Sequence, residues 1–128
     1  MSTDDLAAQH ETAFVNAFIV RERRDRYRTQ LSSRKKRGSL LDRLNHRFSD
    51  DLDDRYVRSS PSHAIPPADQ LCYIIASEDQ YDGKIVPVSA VDDILLSAYF
   101  GIVISYLPGK LAAYKDEAPA RVIWMERP

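Results

Sequence analysis

Glu78, Asp79 and Asp82 fall within one short stretch, EDQYDGK, directly behind the apolar run LCYIIAS. Carboxylates gathered at the end of a strand can hold a hard divalent cation through oxygen ligands, or share a proton as an acid–base pair. A turn closed by Asp82-Gly83 also carries acids for solubility alone, so the grouping marks a place for chemistry without naming a reaction. Cations are denser. Arg21, Arg23, Arg24, Arg26 and Arg28 crowd RERRDRYR, and Arg34, Lys35, Lys36 and Arg37 follow in RKKR. Lysine and arginine at this density meet phosphates or carboxylates, and the arginine fork does so in a bidentate fashion.

Other chemistry finds little support. His10, His46 and His63 are far apart and share no metal-ligand spacing with one another or with Cys72. Asp50, Asp51, Asp53 and Asp54 lack the glycine and the distal glutamate of a calcium loop. Leu107-Pro108-Gly109-Lys110 reads as a tight turn, since the spacing of a phosphate loop is missing, and Ser105 has no nucleophile-elbow context. The sequence therefore calls for no metal and no cofactor.

The net charge of −1 conceals a strong polarity along the chain. Arg21 to Arg47 holds eleven Lys/Arg and three acids, a local +8, which leaves −9 for the remainder. The expected function is that of a non-enzymatic binding or regulatory module. It meets an anionic partner through Arg21, Arg23, Arg24, Arg26, Arg28, Arg34, Lys35, Lys36 and Arg37. That partner is an acidic protein surface, with a second copy of the chain included, or nucleic acid. The domain is not basic overall and shows no zinc-finger or RNA-recognition motif, which favours the protein partner. The rival expectation is a small enzyme in which Glu78, Asp79 and Asp82 share a pocket with arginines that clamp an anionic substrate.

These groups need elements to position them. At 128 residues, 44% hydrophobic and 29% charged, the chain has the size and composition of one domain. Leu6, Ala13, Phe14, Ala17 and Phe18 recur at helical spacing, and Val20, Tyr27 and Leu31 continue the stripe. With no Gly or Pro before Gly38, the pattern predicts one helix from Asp4 to Leu31. Its arginine-rich second half would leave the core, and its Val20–Tyr27–Leu31 seam would offer a dimer contact. Ser32-Ser33 ends that helix and caps a second one, Arg34 to Arg47.

Residues 49–70 read as a Pro/Ser/Asp-rich connection. Beyond it, LCYIIAS and YFGIVISYL read as strands buried on both faces, with a short helix from Val86-Pro87-Val88-Ser89 to Ala98 between them. Pro108-Gly109 and a turn from Asp116 to Pro119 then lead into LAAY and RVIWMER. The expected fold is α+β: a helical hairpin (1–48), the connection (49–70), and a part (71–128) with a mainly antiparallel four-stranded sheet and one short helix. No apolar run is long enough to span a membrane, the amino terminus is acidic and polar, and Cys72 is alone; a cytoplasmic protein is expected.

Overall fold

The computed structural model describes residues 2–116 and 122–128, apart from the side chains of Thr3, Arg34 and His46. The first helix, α1 (Thr3–Phe18), starts where Ser2 Oγ accepts a hydrogen bond from Asp5 N, with Asp4 and Asp5 in its first turn. It does not run on to Leu31. Ile19 is extended and bridges Leu52, Val20 N donates to Asp51 O at 2.8 Å, and Asp53 N donates to Phe18 O at 2.8 Å. A continuing helix would carry Ile19 100° away from Phe18, whereas the extended residue keeps both side chains in the core. The partner for this break lies more than thirty residues downstream, so no local signal announces it.

A 3-10 turn (Arg21–Arg23) leads into α2 (Arg24–Leu31), which folds back onto α1. Tyr27 and Leu31 enter the core beside Phe14 and Phe48, so two of the three residues of the seam expected to meet a second copy are buried within the chain, while Val20 is half-buried. The second expected helix is also divided, into α3 (Arg34–Leu41) and a single turn, α4 (Arg43–His46). Ser33 caps α3 by accepting from Lys36 N. Gly38 lies inside α3. Two 3-10 turns, Phe48–Asp51 and Asp54–Tyr56, and a short edge strand, β1 (Val57–Arg58), order the first part of the connection.

Among the described residues the sheet has six strands, not four. The additional two are β1 and β3 (Ile85–Pro87), both too short to show a period in the sequence. With β2 (Leu71–Ala76), β4 (Ile102–Leu107), β5 (Leu111–Lys115) and β6 (Val122–Glu126), the order is β1-β6-β5-β4-β2-β3, and every pairing is antiparallel. Because β3 and β4 both oppose β2, they run parallel to each other. They are joined by α5 (Val91–Ser97), which follows a 3-10 turn at Val88–Ala90. The meander β4-β5-β6 matches the expected one, with Gly109 at φ 70° and Lys110 N donating to Leu107 O at the Pro108-Gly109 turn. Of the expected turn from Asp116 to Pro119, all but Asp116 lies outside the described residues.

Alternation along the strands divides the molecule into two cores. Tyr73, Ile75, Val103, Ala112, Tyr114 and Met125 face α1–α4, while Cys72, Ile74, Ile102, Ile104, Ala113 and Trp124 face the α5 side. Burial on both faces explains the unbroken apolar runs of β2 and β4. His10 is buried on the first face, where Nδ1 and Ser105 Oγ share a 2.7 Å hydrogen bond, and burial lowers its pKa to about 4. On the second face, Cys72 is a buried thiol whose pKa burial raises to about 11.

The α4 turn is locked to the loop before β4. Gly101 N donates to Asn45 Oδ1 at 2.6 Å, and a Cβ on Gly101 would lie 2.1 Å from Leu44 O. Gly101→Ala is therefore expected to lower stability by about 3 kcal/mol, the upper part of the range for overpacking, because a backbone carbonyl must move. Gly38→Ala, exposed within α3 with nothing within 4 Å, is expected to raise stability by about 0.5–1 kcal/mol. Urea unfolding of the two variants checks both signs.

Candidate anion-binding cleft

The helix break at Ile19–Val20 sorts the basic stretch into two groups. Several cations are tied into the fold. Arg37 lies at the junction of α3, α1 and the β2–β3 loop. Its Nε and Nη2 donate to Asp82 at 2.7 and 2.9 Å, while Nη1 donates to Glu11 Oε2 at 2.7 Å and to Leu31 O at 3.0 Å. Tyr73 OH donates to the same Glu11 carboxylate. Burial works against the Arg37 charge, but Asp82 and Glu11 hold it, and its pKa is raised.

Arg23 Nε pairs with Asp51 at 2.9 Å, and Arg28 pairs with Asp25 while donating to Asn16 Oδ1 at 2.5 Å. Arg21, Arg26, Lys35 and Lys36 behave differently: among the described residues none of their side chains makes an ion pair or a hydrogen bond. Arg34 opens α3, and its side chain lies outside the described residues.

Asp51 is the anchor of this region. It is fully buried, yet its carboxylate accepts two bonds from Arg43, at 2.8 and 3.0 Å, one from Tyr27 OH and the pair with Arg23. Its carbonyl accepts Val20 N, so the same residue also holds the helix break. With that break fixed, Arg21 and Arg24 come round to the segment Asp53–Tyr56 and to the end of β6.

There they line an open cleft of about 440 Å³ with Arg55 and Arg127, and with Glu22 and Asp53 as its acids. Asp53 is already engaged: Arg55 donates to both its oxygens, at 3.1 and 2.8 Å, and this holds its carboxyl below the usual range. Arg127 Nη2 donates to Tyr56 OH at 2.5 Å and its guanidinium lies 4.1 Å from the Tyr56 ring centroid. Arg55 approaches the same ring at 5.2 Å. The hydrogen bond from Arg127 lowers the Tyr56 pKa. Arg24 uses Nε to bond Ile19 O at 2.9 Å, which leaves its two terminal amino groups without a hydrogen-bond partner among the described residues. The cleft is a concave surface of guanidinium donors whose acids do not match them in number.

The sequence pointed to Arg21 and Arg24 but missed Arg55 and Arg127, which are isolated arginines far from the basic stretch. The three carboxylates of the β2–β3 loop do not form one site. Asp82 holds Arg37 and accepts Ala76 N at 3.1 Å, Glu78 accepts Tyr99 N at 3.2 Å, and Asp79 is exposed. None of Arg21, Arg24 or Arg28 converges with them. Among the described residues no three His, Cys, Asp or Glu side chains cluster as metal ligands, and no helix is long and apolar enough to cross a membrane.

Two further arrangements were not legible in the sequence. Glu126, on the face of β6 opposite Arg127, accepts Ser62 Oγ at 2.5 Å, the Ser62 and His63 amides at 3.0–3.1 Å, and shares a 2.7 Å bond with His63 Nδ1. The hydroxyl of Ser62 and then His63 are the main reasons its pKa is held at about 2. On the same face of the sheet as Glu126, Lys115 is buried and donates Nζ to Leu95 O and Ala98 O at the end of α5, where a cation suits the carbonyls. Leu96, Tyr99 and Phe100 stand outward beside this cap. Compared with protein-family profiles, curated proteins and solved structures, the chain matches none.

Two outcomes test the electrostatics. Asp51→Ala is expected to cost about 3–5 kcal/mol in urea unfolding, because Tyr27 OH and Arg43 lose a buried acceptor. Arg23→Ala should cost about 1 kcal/mol or less, since that side chain is 41% exposed and Arg43 still neutralises Asp51. Glu126 has a lowered pKa in the fold, so its contribution is complete above the unfolded value of 4.5 and is lost as the pH falls toward about 2. The melting temperature of Glu126→Gln should thus lie below that of the parent at neutral pH and converge with it near pH 2.

Proposed function

We propose that this chain is a non-enzymatic binding module that meets an anionic partner through the arginine cleft and the unpaired cations beside it in sequence. The observation that carries this reading is the excess of guanidinium groups around the cleft. Arg21, Arg24, Arg55 and Arg127 face Glu22 and Asp53, and Asp53 is already held by Arg55. Charges left in this state are stabilised by a ligand that brings acceptors, and an arginine fork holds carboxylate or phosphate oxygens in a bidentate geometry. Arg26, Lys35 and Lys36 extend the supply of unpaired cations. Arg23, Arg28 and Arg37 serve the fold instead, so the interface is smaller than the basic stretch suggests.

The partner is an acidic protein surface, a second copy included, or nucleic acid. Fluorescence anisotropy with labelled poly-L-glutamate and with a labelled oligonucleotide tests the reading. Binding should be present at low salt and weaken steeply between about 50 and 200 mM, and Arg21→Ala should reduce the slope by roughly one counterion. Absence of binding to both polymers and to inorganic phosphate at low salt would overturn the proposal.

A further inference from the structure

We infer that the arginine cleft is a receptor for a terminal, dianionic phosphate group, an inference that rests on the anion-binding reading above. Three observations point to this ligand class. The first is charge. Among the described residues four guanidinium groups and two carboxylates line the cleft, which leaves two positive charges unmatched. A phosphate monoester carries about −1.5 to −2 at neutral pH, whereas each linkage of a nucleic acid carries a single charge.

The second is the supply of donors. Among the described residues Arg24 uses only Nε, Arg127 uses one Nη2 proton on Tyr56, and Arg21 uses none, so three guanidinium groups keep N–H donors for a small oxyanion. Arg55 and Arg127 are held against the Tyr56 ring and Arg24 against Ile19 O, so most of the donors are positioned before a ligand arrives.

The third is what the cleft lacks. Among the described residues Val20 is its one apolar lining residue, so it offers no platform for a base or a lipid tail. Glu22 and Asp53 interrupt the cationic surface, which disfavours a continuous polyanion lying across it and favours a compact charge seated between them. The same chemistry is met on a phosphorylated small molecule and on a phosphorylated side chain, and both present the group that the cleft fits.

Isothermal titration calorimetry on the full chain in a chloride buffer tests the inference, with inorganic phosphate, O-phosphoserine, a phosphoserine peptide and succinate as probes. Phosphate and phosphoserine should bind at one site per chain, with succinate weaker by about tenfold or more, since its carboxylates cannot share one seat. The peptide binding more tightly than free phosphoserine assigns the group to a protein partner, and equal binding assigns it to a small molecule.

Arg21→Ala, at an exposed residue with no ion pair or hydrogen bond among the described residues, should fold normally and weaken phosphate by about tenfold, the loss expected for a charge-assisted hydrogen bond. Lys84→Ala, at an exposed residue between β2 and β3 and outside the cleft, should leave binding unchanged. Succinate equal to phosphate, or phosphate binding insensitive to Arg21→Ala, would overturn the inference. Polymer binding without phosphate binding overturns the phosphate assignment alone, and failure of both the polymers and phosphate overturns the anion-binding reading with it.

Discussion

A carboxylate shut away from water must be neutralised and hydrogen-bonded where it stands, and Asp51 is such a group. Its side chain gathers Tyr27 from α2, Arg43 from α4 and Arg23 from the intervening 3-10 turn, and its carbonyl takes the amide of Val20. One residue thus ties the loop after α4 to the break between α1 and α2. Without that break, Arg21 and Arg24 would continue along a straight helix and could not reach Arg55 and Arg127. The geometry of the cleft is a consequence of a buried acid some thirty residues downstream.

The same electrostatic logic sorts the other charges. A cation near the core is retained only where a carboxylate or carbonyl reaches it: Arg37 between Glu11 and Asp82, Lys115 at the carbonyls that end α5. Cations that no acid reaches stay at the surface. The polarity along the sequence, +8 in one window and −9 elsewhere, is therefore partly closed inside the fold, because Glu11, Asp51 and Asp82 come from outside that window. Part of what is left open, Arg21 and Arg24, meets Arg55 and Arg127 beside the end of β6.

That edge illustrates how strand alternation separates chemistries that are adjacent in sequence. Met125 and Arg127 face the helices, and Arg127 joins the cleft; Glu126 faces the opposite side and gathers Ser62 and His63. A carboxylate and a guanidinium one residue apart thereby serve different surfaces. Tyr56 contributes in a similar way from the 3-10 turn before β1, with a ring that supports Arg55 and Arg127 and a hydroxyl that accepts from the latter.

Much of the architecture was legible in the residues. The apolar runs of β2 and β4 announced strands covered on both sides, Ser33 announced the cap of α3, and Pro108-Gly109 announced the turn between β4 and β5. The short strands β1 and β3 were not, because two or three residues cannot display a period, and their pairing depends on neighbours in the sheet. The long helix was misjudged because local pattern favours its continuation, while the bonds that end it come from Asp51, Leu52 and Asp53.

Of the site, the sequence by itself determined that cations are in excess between Arg21 and Arg47. Only the tertiary structure decided which of them are internally neutralised and which two meet Arg55 and Arg127. Charge is a property of each residue, but its partner is chosen by distance, and distance across a chain is set by packing.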